Sequence, residues 1–160
     1  MSKKAVLFFL FFSLLFSSYS QILEPISWEF KVDSSNYSDS KKLDLIFEPT
    51  TEVGWYIYSS DNDPIAGPYT MFDFDENATY SLDENIKVKN VKIKFDSVWL
   101  ADVRYLDNGG AFIQSIIKNN NNLSVNGFIS YQVCSEIQKM CIPLETDFSF
   151  FKQILSLIHI

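Results

Sequence analysis

Histidine and cysteine are almost missing from this chain, whose 160 residues hold one His, at position 159, and two Cys, at 134 and 141. Two thiolates do not complete a zinc tetrahedron, so no metal site is expected. A Cys–His or Ser–His dyad would need His159 to fold back from the tail, which makes hydrolase chemistry of that type an unfavoured reading. Glycine and proline number five each, far from the composition of collagen-like or low-complexity chains. Basic side chains are also scarce, 13 against 20 acidic, for a formal charge of −7. Lys3 and Lys4 stand at the extreme start, so the remainder is more acidic still. Such a surface repels phosphate backbones, and no nucleic-acid partner is expected. A glycine-rich phosphate loop, an internal repeat and a convincing amphipathic helix are all absent from the sequence.

Long apolar runs are confined to the beginning. MSKK supplies a positive start, and AVLFFLFFSLLF follows as a run of twelve, short of the roughly 20 residues of a membrane-spanning helix. SSYS then sets small residues at −3 and −1 before Gln21. This is the build of a secretory signal peptide over residues 1–20, with cleavage expected near Ser20 and an uncleaved anchor that tethers the domain as the alternative. Export would carry the cysteine pair to a compartment where disulfides persist. Residues 21–151 are expected to form a single domain. The remainder, 152–160, is a short tail that ends the last strand, forms a short helix or begins more of a longer parent protein.

Apolar residues make up 47% of the chain and aromatics 16%, the composition of a globular protein. They recur in short alternating runs. ISWEFKV puts Trp28, Phe30 and Val32 on one face, and KLDLIFE does the same with Leu43, Leu45 and Phe47. In GWYIYSS, Trp55 and Ile57 oppose Tyr56 and Tyr58. YTMFDFD, IKVKNVKIKF (with a slip at Asn90), GGAFIQSII, LSVNGFISYQV and IPLETDFSFF continue the series. Period-2 patterning broken by SSNYSDS, SSDNDP and KNNNN predicts strands of an antiparallel sandwich. About eight strands in this length suit an all-β, immunoglobulin-like architecture. Sequons at Asn36, Asn77 and Asn122 matter only in a eukaryotic secretory setting.

The two cysteines lie in YQVCSEIQKMCIP, with SEIQKM read as the loop joining two strands. Strands so joined bring their ends to about 5 Å, within disulfide reach. A ring this short gains only roughly 2.5 kcal/mol from loop closure, a weak position for a staple. Structural staple and redox pair both remain open on these residues alone.

YQVCSEIQKMCIPLETDFSF resembles the end of the amino-terminal periplasmic domain of the thiol–disulfide interchange protein DsbD. GWYIYS is similar to that family's Gly-aromatic-Tyr-aliphatic-Tyr strand, and KFDSVWLADVRYLDNGGAFIQSI to its acidic cap-loop segment. ILEPISWEF resembles the start of the domain, so the likeness runs from Ile22 to about Phe151. The resemblance implies an immunoglobulin-like sandwich with a cysteine pair at one end under a cap loop. It implies protein-disulfide reductase activity in the periplasm, with electrons arriving from a thioredoxin-like donor or a membrane DsbD-type protein and passing to oxidised periplasmic proteins. Cys141 would form the mixed disulfide and Cys134 would resolve it. Asp96, Ser97, Val98 and Trp99 match the cap, and Tyr56 and Tyr58 match the supporting tyrosines. The sulfur chemistry calls for no cofactor, and a monomer is expected.

Physical roles follow for these residues. A carboxylate at Asp96 would accept a proton, yet would also raise a nearby thiol pKa and restrain spontaneous attack. A bulky Val98–Trp99 cap would shield the pair, and Tyr58 would hydrogen-bond the acid or pack under the disulfide. In the plainer reading Asp96 is a turn residue and the aromatics are core or interface side chains. Departures from the family pattern are Ser97 where an acid is common, Leu144 where a second proline is common, and a longer inter-cysteine loop. The 160 residues include neither a membrane electron-transfer segment nor a thioredoxin-like domain, so electrons would come from a separate protein, or the chain is a fragment. Two other classes compete: an exported adhesion or binding module with a structural Cys134–Cys141 bond, and a degenerate relative that binds partners without turnover.

Overall fold

The computed structural model describes residues 23–151 except 40, 65, 66, 98 and 121. The expected signal peptide, the tail from 152 onward with His159, and Val98 therefore lie outside the described residues. Ten strands and no helix occur among the described residues. No helix there is long and apolar enough to cross a membrane.

The strands are β1 (Ile26–Asp33), β2 (Lys42–Thr51), β3 (Trp55–Tyr58), β4 (Met71–Phe74) and β5 (Tyr80–Lys89), followed by β6 (Lys92–Asp96), β7 (Ala101–Leu106), β8 (Ala111–Lys118), β9 (Ser124–Ser135) and β10 (Met140–Phe151). They form two antiparallel sheets, one ordered β1-β2-β8-β5 and the other β10-β9-β3-β7-β6, with β4 also paired to β9. The fold is an all-β, immunoglobulin-like sandwich.

Alternation explains the layers. Side chains along a strand point to opposite faces in turn, and Leu43, Leu45 and Phe47 of β2 turn inward to full burial. They meet Ile57, Leu106, Val125, Ile129, Phe148 and Phe150 from the other sheet. Phe47 is the hub of this core, with the rings of Phe72, Phe148 and Phe150 at 4.9, 5.0 and 5.4 Å. A fully buried side chain of this size contributes roughly 1.5–3 kcal/mol through the area it removes from water.

Three local expectations change. The stretch IKVKNVKIKF is two strands, not one with a slip. Asn90 takes a positive φ of 54°, which asparagine tolerates better than most residues, and the chain crosses from one sheet to the other, so β5 and β6 never pair. Sheet β10-β9-β3-β7-β6 is wider than its partner, and the overhanging edge strand β6 leaves Ile93 and Phe95 exposed. Ten strands replace about eight because the break after Lys89 divides one run and because Ala101–Leu106, within the segment likened to the cap loop, is a strand of its own. Finally, the inter-cysteine loop is not six residues long. Ser135 and Met140 pair in the ladder, leaving a four-residue turn over Glu136–Lys139 that closes through Lys139 at φ 50°.

Candidate functional site

Cys134 on β9 and Cys141 on β10 stand directly opposite each other, one pair in from the end of a twelve-pair hairpin. Their Cα atoms are 4.1 Å apart, and the sulfurs are joined at 2.00 Å. This is the close spacing of a non-hydrogen-bonded antiparallel pair. The two residues are unequally exposed. β9 has neighbours on both sides whereas β10 is an edge strand. Cys134 is 1% exposed and packs with Tyr58 and Val103, with Tyr56 alongside. Cys141 is exposed.

The outer face of this sheet supplies the surroundings. Tyr56 pairs in register with Cys134, and Tyr58 lies two residues on, facing the same way. Their rings meet edge to face at 5.5 Å. The alternation of β6 sends Lys94 and Asp96 to this same face, opposite Val103 and Ala101. Asp96 is 8% exposed, so it is not a solvated turn residue. The Tyr58 hydroxyl donates to its Oδ2 at 2.9 Å, and the Trp99 amide approaches its Oδ1 at 3.4 Å. One buried carboxylate thus ties the cap segment to the tyrosine beneath the disulfide. Burial, reinforced by hydrogen bonds to Tyr56 and Asp96, holds the Tyr58 hydroxyl far above its ordinary pKa, so it remains a donor.

The cap is a surface element. Trp99 is 47% exposed and lies on Gly67, where an added Cβ would come within 3.2 Å of its Cγ. The loop carrying Gly67 is held by Asn62, which donates to the carbonyl of Arg104 at 2.8 Å and accepts from the Arg104 amide at 2.7 Å. Ser97 is exposed. Leu100 closes the cap at φ 54°, a costly conformation for a bulky residue.

A cleft of about 650 Å³ collects these parts. Tyr56, Tyr58, Asp96, Ser97, Trp99, Cys134 and Cys141 all line it, so every described residue singled out in the sequence shares one wall. Sequence reasoning missed Lys94 and Glu136, which line it too. Lys94 pairs with Glu136, the first residue of the hairpin turn, and its Nζ stands 3.4 Å above the centre of the Tyr56 ring. Burial opposes the charge on Lys94, but bonds to Glu136 and Tyr56 outweigh it and keep the ammonium above its ordinary pKa. The signal was present in the alternation of KIKFD, which puts Lys94 on the face of Asp96. No cluster of metal-ligating side chains occurs among the described residues.

Neither a protein-family model nor a curated protein matches this chain. Solved structures do. A chain from the complex between the DsbD N-terminal and PilB N-terminal domains of Neisseria meningitidis matches with a TM-score of 0.52 and 12% identity, over 84% of this chain and 91% of that one. The N-terminal periplasmic domain of ScsB from Proteus mirabilis matches with a TM-score of 0.50 and 11% identity, over 79% of this chain and 51% of that one. The reduced DsbD N-terminal domain of Neisseria meningitidis matches at 0.47 and 15% identity, over 71% and 79%. At these identities the likeness is one of fold.

Proposed function

We propose that this domain performs thiol–disulfide exchange through Cys141 and Cys134, acting as a protein-disulfide reductase within a periplasmic electron relay. The observation that carries this reading is the unequal exposure of two bonded cysteines in one cleft. A nucleophilic thiolate from a thioredoxin-like donor reaches Cys141. The Cys134–Cys141 bond breaks, a new bond joins the donor sulfur to Cys141, and the electron pair leaves on Cys134. The donor's second thiolate then releases Cys141, so two electrons and two protons enter the domain and the donor becomes a disulfide. Running the steps in the opposite sense, Cys141 attacks an oxidised periplasmic protein and Cys134 resolves the mixed disulfide. No cofactor takes part.

Asp96, Tyr58 and Trp99 restrain the site between encounters. The carboxylate disfavours a neighbouring thiolate, and the indole covers the approach. A structural neighbour determined as a complex of two domains supports reading this domain as one that docks another protein domain. The competing staple reading draws on the deep burial of Cys134.

A glutathione redox series with trapping separates the two. Exchange predicts that the Cys134→Ser chain accumulates a mixed disulfide with an oxidised thioredoxin-like protein, whose disulfide the Cys141 thiolate attacks while the partner's other sulfur leaves as a thiolate, and that Cys141→Ser abolishes it. A potential well below about −300 mV, with no trapped species, would establish the staple instead.

A further inference from the structure

We infer that Lys94 is a positioning residue for this exchange, whose ammonium lowers the cost of placing negative charge on the leaving sulfur of Cys134. The inference rests on the exchange reading above. When a donor thiolate attacks Cys141, the electron pair of the broken bond appears on Cys134, the less accessible sulfur. Two features of the site oppose that charge. Cys134 is 1% exposed, and burial in apolar surroundings raises a thiol pKa. Asp96 shares the cleft and adds like charge. A poorer leaving group slows exchange, so such a site needs a counter-charge.

The titratable groups that line the cleft with Cys134 identify it. β3 contributes Tyr56 and Tyr58, β6 contributes Lys94 and Asp96, and the hairpin turn contributes Glu136 and Lys139. Lys139 is exposed, whereas the Lys94 side chain retains 18% exposure. Water screens the first cation far more than the second. Lys94 also has a fixed seat. Its Nζ lies on the face of Tyr56, which is the in-register neighbour of Cys134. Glu136, two residues beyond Cys134, forms an ion pair with Lys94. The ammonium is bound to the turn that follows the strand of the leaving sulfur and to the strand paired with it, and it keeps its charge throughout the range in which thiols titrate.

This arrangement separates an electrostatic role from a structural one. Lys94→Gln removes the cation and leaves Glu136 unbalanced. Glu136→Gln removes the anion and leaves the cation. Both break the same ion pair, so a merely structural contact predicts that both variants move the site in the same direction. The charge argument predicts opposite directions.

The test uses the reduced chain with Cys141→Ser, in which Cys134 is the one thiol, and follows the Cβ resonance of labelled Cys134 against pH. Lys94→Gln should raise the Cys134 pKa by roughly half a unit to one unit, and Glu136→Gln should lower it by a similar amount. In the chain with both cysteines, reduction of the disulfide by a small dithiol should be several-fold slower for the first variant and faster for the second. Shifts of the same sign, or no shift in either variant, overturn the role of Lys94. The titration requires no partner, so its failure bears on Lys94 alone. Failure to trap a mixed disulfide with the otherwise unaltered site bears on the exchange reading.

Discussion

Tyr58→Phe tests the join between cap and disulfide with a single oxygen. The ring stays, so its packing against Val103 and Cys134 is retained. What is lost is the 2.9 Å bond to Asp96 Oδ2, together with the hydroxyl's hydrogen bond with Tyr56. Tyr58 and Asp96 are buried, at 2% and 8% exposure, so water is poorly placed to substitute. A hydrogen bond to a charged acceptor contributes roughly 1.5–3 kcal/mol. Asp96 keeps its Trp99 contact, which argues for the lower part of that range. With a urea slope of about 1–3 kcal/mol per molar, the unfolding midpoint should fall by roughly 1 M without a change in slope. The same variant should loosen the cap and raise the rate of disulfide reduction by a small dithiol. The alkaline limb gives a second check. The folded pKa of Tyr58 is raised above its ordinary value near 10. The stabilisation linked to it is therefore complete below pH 10, and is lost as pH rises toward the folded value, because the unfolded tyrosine ionises first. The stability gap between the parent and Tyr58→Phe should narrow above pH 10. A midpoint unchanged at pH 7, or a gap that widens above pH 10, would refute the coupling of Tyr58 to Asp96.

Two further outcomes follow from the geometry. Trp99→Ala should speed reaction of the disulfide with small dithiols several-fold and leave stability within about 1 kcal/mol, since the indole is half exposed; stopped-flow reduction and urea unfolding measure the two effects, and an unchanged rate would remove the shielding role. Gly127→Ala should cost about 3 kcal/mol or more by thermal or urea unfolding, because the new Cβ would stand 2.0 Å from the Asp73 carbonyl oxygen and 2.6 Å from Phe148 Cζ, wedging β4 from β9.

Much of the sandwich was legible along the chain. Inward faces at Leu43, Leu45 and Phe47, and the division of Trp55 and Ile57 from Tyr56 and Tyr58, are consequences of period-2 alternation, which is a local property. The hairpin that brings Cys134 to Cys141 was legible for the same reason, although its turn was read two residues too long. Strand breaks were less legible. Asn90 reads as a slip because a change of sheet leaves the alternation on either side intact, and only pairing partners distinguish the two cases.

The site itself divides along the same line. Residue chemistry and spacing determined that two thiols share one hairpin, that Lys94 and Asp96 share one face, and that no second histidine stands ready to assist. Tertiary structure alone decided that β9 is interior and β10 is an edge, and hence that one sulfur is sheltered and the other approachable. It also decided that Asp96 is buried under Tyr58, that Trp99 rests on Gly67, and that Lys94 reaches over Tyr56 to Glu136. Alternation states which way a side chain points, but burial and charge depend on which strand lies beside it, and that is settled by contacts between residues far apart in the chain.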